Sequence, residues 1–117
     1  MFGLFRKDKL SPQDAVKGAE NGAVTVIDVR EHGEVAASGK ATGALHIPLI
    51  RLGDIADPRH PEFDKNLSTQ AKIAVYCASG ARSMSATRTL RQLGYEDVHN
   101  IGGLGHWVNA GGALEAG

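Results

Sequence analysis

A single cysteine, Cys77, occurs in the 117-residue chain, so neither an internal disulfide nor a multi-cysteine zinc site can form. Lys+Arg and Asp+Glu both total 13, and no charge of one sign dominates. The basic footprint of a nucleic-acid binder is therefore missing. Aromatic residues are only 5% of the chain and prolines number four, against 15 glycines, which points to tight turns and small-residue packing. No apolar run approaches the ~20 residues that span a bilayer. The cluster Phe2, Leu4 and Phe5 is too short for a signal peptide, and its charges (Arg6, Lys7, Lys9) follow it instead of preceding it. Packing of this segment on the domain, or fraying, is a better expectation than contact with a membrane or partner. Five histidines are scattered without the i, i+3 or i+4 spacing of a helical metal pair, so no metal and no cofactor are expected. These exclusions predict a cytoplasmic protein whose thiol stays reduced.

What remains fits one domain of common size, with 42% hydrophobic residues to build a core. The expected division is a tail over 1–10, the domain over 11–110 and a second tail over 111–117. Ser11 is a good N-cap for a helix that begins with Pro12 and stops near Asn21-Gly22. "AVTVIDV", residues 23–29, is a continuous β-branched run, as in a strand covered on both faces. Residues 31–37 can form a short helix, 38–43 a turn-rich link, and "ALHIP" an extended piece. Residues 50–65 read as irregular, broken by Pro58 and Pro61. "KIAVYC" is a second strand, and Ala86, Leu90 and Leu93 mark one face of a helix over about 83–93. "EDVHNI" is a third strand, and "GGLGHWVNAGG" a closing helix or loop. Alternating strands and helices predict an α/β fold with a mostly parallel sheet flanked by helices on both faces.

The stretch "IAVYCASGARSM", residues 73–84, carries the chemistry. In an open parallel sheet, ligands gather beyond the carboxyl ends of the strands, and Cys77 stands at such an end. Ala78, Ser79, Gly80 and Ala81 are small enough for the backbone to curl and aim successive N–H groups at one centre. The following helix adds its unpaired amides and the positive end of its dipole, and Arg82 adds a fixed charge. Each of these favours thiolate over thiol and lowers a cysteine pKa from about 8.5. A reachable, charged sulfur is the expectation. An inert buried cysteine needs neither the glycine nor the arginine.

Four segments in order make residues 11–107 resemble the rhodanese (sulfurtransferase) domain family: "DVRE" at 28–31, "GALHIP" at 43–48, "VYCASGARS" at 75–83 and "IGGLGHW" at 101–107. The resemblance implies a rhodanese-like fold of the single-domain type. It also implies a reaction in which the Cys77 thiolate takes the outer sulfur of a small anionic donor such as thiosulfate and becomes a persulfide. Cyanide, a thiol or another protein would then accept that sulfur. By the same resemblance, the loop from Ala78 to Ser83 (Ser79, Gly80, Ala81 and Arg82 between them) binds the substrate, with Arg82 drawing in the anion. Pairing of Arg82 with a carboxylate is the competing use. The chain departs from the family at "GKATGA", residues 39–44, where Gly-His-Ile-Pro-Gly-Ala is usual: Lys40 replaces the histidine, and Ser38 is inserted before it.

Asp28 is equally open to facing the active-site mouth or to a supporting role, and Arg30 is expected in an internal ion pair or turn cap, for example with Glu34. Trp107 is expected in core or rim packing. His46 and His106 are expected in neutral surface or core roles. Two other classes stay in view. A phosphatase or arsenate reductase of the same fold places arginine six positions after cysteine; here Arg82 comes after five. A non-catalytic interaction module would not need the cysteine and loop glycine that this chain keeps.

Overall fold

Helix and strand boundaries follow local chemistry closely in the computed structural model, which describes residues 9–117. The Ser11 hydroxyl accepts the Asp14 amide at 3.0 Å and caps α1 (Pro12–Glu20). Next come β1 (Val24–Asp28), α2 (His32–Ser38), β2 (Lys40–Ala41), β3 (Leu45–His46) and α3 (Leu49–Ile55). The second half is β4 (Lys72–Cys77), α4 (Ala81–Gln92), β5 (Asp97–Gly103), α5 (Leu104–Asn109) and β6 (Leu114–Glu115). Strands β3, β1, β4 and β5 form one parallel sheet in that order, and β2 pairs antiparallel with β6. The chain moves from β1 outward to β3, then returns to place β4 on β1's other side. That reversal opens a crevice at the carboxyl ends of β1 and β4.

Strand parity divides the core into two layers. Ile27 and Val29 on the β1 side, with Ile73, Val75 and Cys77 of β4, pack with Leu52 of α3 and with Ala86 and Leu90 of α4. Val24, Val26, Ala74 and Tyr76 face the other way, onto Ala15 and Val16 of α1 and Trp107 of α5. Because successive side chains alternate faces, Asp28 and Tyr76 fall on the side opposite Cys77. This parity fixes which groups can touch the thiol.

Two elements depart from the sequence expectation. Helix α3 occupies the start of the segment expected to be irregular; it ends at Ile55, before Pro58 can interfere. Residues 114–115 pair with β2, and Leu10 is already buried in the α1 layer with its amide donating to His99 Nδ1 at 3.2 Å. Two-residue strands carry no periodicity that a sequence could display. The expectation for Phe2 and its neighbours lies outside the described residues, except at Lys9.

Candidate active site

Cys77 ends β4 and α4 begins four residues later, so the intervening turn must reverse within a very short span. Gly80 makes this feasible, with φ of 110° in the left-handed region that residues with a Cβ rarely enter. Its amide then points back and donates to Cys77 Sγ at 3.0 Å. Ser83, in the first turn of α4, places its hydroxyl 3.4 Å from the same sulfur. Ala78, Ser79 and Ala81 are exposed, whereas Cys77 itself is only 1% exposed. The sequence led us to expect a reachable sulfur; the residue is in fact buried, because β4's inner face continues the core up to its last position. A groove of about 750 Å³ runs along the loop, bordered by Ser79, Gly80, Ala81, Met84 and His106.

Electrostatics at the sulfur are a contest that the donors win. Burial pushes the Cys77 thiol up, but the Ser83 hydroxyl and the amides of Ser83, Gly80 and Ser79 bring it down from 9.0 to about 7. These amides are the converging N–H groups that the small-residue run predicts.

Arg82 is engaged elsewhere. Its two terminal nitrogens donate to the Glu34 carboxylate at 2.6 and 2.8 Å, both residues being about one-third exposed. This hydrogen-bonded pairing holds the Glu34 carboxyl down at about 2. Glu34, the example partner offered for Arg30, belongs to Arg82 instead, and the ion pair of Arg30 is with Asp28. Arg30 turns to the other side of the sheet, where its Nε and Nη2 donate to Asp28 at 2.8 to 3.1 Å. Asp28 is fully buried and also accepts the Tyr76 hydroxyl at 2.5 Å. By parity, neither Asp28 nor Arg30 lies on the thiol's face; both support the sheet's far layer.

The Gly39–Ala44 departure is internally braced. Lys40 Nζ donates to Ala44 O at 2.8 Å and to Glu115 Oε2 at 2.6 Å, while the Gly43 amide donates to Glu115 Oε1. Ser38 accepts from Arg30 Nη1 at 2.8 Å and donates to Glu34 O at 2.9 Å, closing the end of α2. Trp107 is buried, and its indole donates to Ala113 O. His46 Nε2 lies 2.7 Å from Arg30 O, and His106 Nδ1 accepts the Gly103 amide at 2.9 Å.

Sequence reasoning did not single out Glu34 as Arg82's partner, and it placed Asn100 and Gly103 in a strand and a matched segment without a role at the site. Asn100 Nδ2 donates to Gly80 O at 2.9 Å, and its Oδ1 accepts the Ser83 hydroxyl at 2.7 Å. Gly103 stands opposite Cys77 in the β4–β5 register, so close that an added Cβ would lie 2.0 Å from Ala78 O. The "NIGG" run was the available signal, since paired glycines beside a strand end often mark close backbone approach.

Comparison with known proteins agrees with this geometry. The rhodanese-like domain family matches residues 11–110. The chain is 33% identical over 90 residues to thiosulfate sulfurtransferase 16, chloroplastic, of Arabidopsis thaliana, covering 73% of this chain and 74% of that one. It is 32% identical over 100 residues to the thiosulfate sulfurtransferase GlpE of Pseudomonas fluorescens, covering 85% and 83%. Among solved structures, a Rhodopseudomonas palustris protein of unknown function, described as a possible tyrosine phosphatase, superposes with a TM-score of 0.79 at 32% identity, covering 92% of this chain and 84% of that one. The human single-domain sulfurtransferase superposes with a TM-score of 0.74 at 26% identity, covering 89% and 97%. A parallel sheet in the order β3-β1-β4-β5, a lone cysteine cradled at its carboxyl edge and a family match over 11–110 lead to one conclusion: this chain belongs to the rhodanese-like domain family.

Proposed function

We propose that the protein is a sulfurtransferase that carries sulfane sulfur as a persulfide on Cys77. The observation that supports this best is the set of amides and the hydroxyl that bring the buried Cys77 thiol down to about 7, leaving a large thiolate fraction at neutral pH. The thiolate attacks the outer sulfur of thiosulfate; the S–S bond of the donor breaks and sulfite leaves with its electron pair. A Cys77–S–S⁻ persulfide remains. Cyanide or a thiolate then attacks the outer persulfide sulfur and regenerates the Cys77 thiolate, releasing thiocyanate or an acceptor persulfide. The chain has one cysteine, so the sulfur passes to an outside acceptor. A reducing compartment such as the cytoplasm suits this cycle. The amides of Ser79, Gly80 and Ser83 hold the charge, while Ala78 and Ala81 shape the loop.

Because Glu34 occupies both terminal nitrogens of Arg82, the loop amides supply most of the attraction for an anionic donor. The same pairing argues against phosphoryl transfer. A phosphate needs the guanidinium on itself, and in this loop the arginine arrives one residue earlier than the phosphatase spacing.

Intact-mass measurement after incubation with thiosulfate, and separately with a low-molecular-weight persulfide, tests the reading. One added sulfur that cyanide removes is expected on the wild type and none on Cys77→Ser. Hydrolysis of p-nitrophenyl phosphate lost in Cys77→Ser, with no sulfur adduct from either donor, would overturn it.

A further inference from the structure

Ser83 has one proton for three acceptors, of which Gly102 O, at 3.5 Å, is the most distant. Its hydroxyl is fully buried, lies 2.7 Å from Asn100 Oδ1 and 3.4 Å from Cys77 Sγ, and a serine hydroxyl carries a single O–H. At 2.7 Å the bond to Asn100 has near-ideal length, so Oδ1 is the stronger competitor for the proton. While the proton points to Asn100, Oγ turns a lone pair to the sulfur and can accept from the thiol S–H; the hydroxyl's help to the thiolate comes from the fraction turned to Sγ. To stabilise the anion, the hydroxyl must rotate to Sγ and leave Asn100 Oδ1 with only the Gly102 amide, which it already accepts at 2.9 Å.

Asn100 is well held for this competition. Its Nδ2 donates to Gly80 O at 2.9 Å, which assigns the amide's orientation and keeps Oδ1 on Ser83. Strand alternation puts it on the Val75 and Cys77 face, and an irregularity follows it: Val75 pairs with Asn100 but Cys77 pairs with Gly103, so β5 has one residue more than β4 between these positions.

We propose that Asn100 is a positioning residue whose amide oxygen competes with Cys77 Sγ for the Ser83 hydroxyl proton, and so sets how much of that hydroxyl reaches the sulfur anion. The inference rests on the sulfurtransferase reading only for its meaning in turnover; the competition exists at the free thiol. The charged groups around the loop are Arg82 with its partner Glu34 and nearby Glu31 on one side, Lys9 across the groove, and the Asp28–Arg30 pair on the opposite face of the sheet. His106 reaches Gly103 through Nδ1. None of these changes when Asn100 is replaced.

The test is the pH midpoint of Cys77 alkylation by iodoacetamide, which needs no sulfur donor, read on variants whose circular dichroism and melting confirm folding. Asn100→Ala frees the hydroxyl for Sγ and is expected to lower the midpoint by roughly half a unit to one unit. Asn100→Asp offers a stronger acceptor and adds a negative charge, both of which raise it, so the fall in Asn100→Ala is the deciding result. Both variants lose the bond to Gly80 O, so a purely structural role for Asn100 would move both midpoints in the same direction, and that result overturns the proposal. In a Ser83→Ala background, Asn100→Ala is expected to have no further effect; an undiminished shift there overturns it as well. Because persulfide formation is read separately by mass, a protein that fails these tests yet takes up sulfur refutes the Asn100 role alone.

Discussion

Asp28→Ala is expected to destabilise the domain by about 3–5 kcal/mol, because it strands a buried arginine. Asp28 is fully buried and Arg30 only 4% exposed. The carboxylate accepts the Arg30 amide at 2.9 Å, the guanidinium at 2.8 to 3.1 Å and the Tyr76 hydroxyl at 2.5 Å. Arg30 in turn donates to Ser38 Oγ and Gly39 O, and the Tyr76 hydroxyl accepts the Ala41 amide at 2.8 Å. One carboxylate thus ties the ends of β1 and α2 to β2 and β4. Burial holds the Tyr76 phenol well above its ordinary range, so it remains a donor throughout the physiological pH scale. Against a total stability of about 5–15 kcal/mol, the loss is severe and corresponds to a melting temperature lower by roughly 10–20 °C. Urea unfolding at constant m-value reads the change. Asp28→Asn, which keeps the shape and part of the acceptor set, should lose less. In the fraction that stays folded, the Cys77 alkylation midpoint should not move, since the pair lies on the sheet's other face. A loss below 1 kcal/mol would mean the network is not the fastening described here.

Gly103→Ala is expected to slow sulfur transfer by about 100-fold or more, the scale set by an ångström-sized misplacement of reacting groups. Gly103 has φ of −114°, which any residue can adopt, so the objection to a side chain is purely steric. Its Cβ would lie 2.0 Å from Ala78 O and 2.7 Å from Ala78 C, and both contacts are backbone that no rotamer change can move. Strand and loop must separate, carrying the Ser79 and Gly80 amides away from the sulfur. A further cost of about 1–3 kcal/mol in stability follows from the overpacking. Gly80→Ala makes the contrast: its Cβ meets nothing nearer than Gly102 Cα at 3.5 Å, and only the backbone angle objects. Thiosulfate-to-cyanide turnover on folded protein checks both. Wild-type turnover in Gly103→Ala would show that the loop does not rest on β5 as described.

These two sites mark where the sequence was legible and where it was not. The strands β1 and β4 were readable because β-branched runs buried on both faces have few other uses. Helices α1 and α4 were readable from a cap and from periodicity. The Cys77 loop was readable because small residues between a strand and a helix leave the backbone little choice. Side-chain partners across the sheet were not. Glu34 could as easily serve Arg30 as Arg82, and only the facing of β1 and β4 decides between them. Asp28 pairs in register with Tyr76, the residue before the thiol, and alternation alone removes it from the site. Asn100 reaches the loop through bonds to Gly80 O and the Ser83 hydroxyl across the sheet, which no propensity foretells. Helix α3 is seven residues long and was hidden by the prolines beyond it.

The account stands on a loop that keeps Cys77 charged although it is buried. The direct measurement is the rate of Cys77 alkylation by iodoacetamide from pH 5 to 10, read by mass so that a single modified residue is followed. The folded thiol's pKa is depressed, so the rate should fall about tenfold per pH unit below its midpoint and level off above it. A midpoint of about 7 is expected. A midpoint at or above the ~8.5 of a free cysteine would contradict the claim that these amides hold a thiolate.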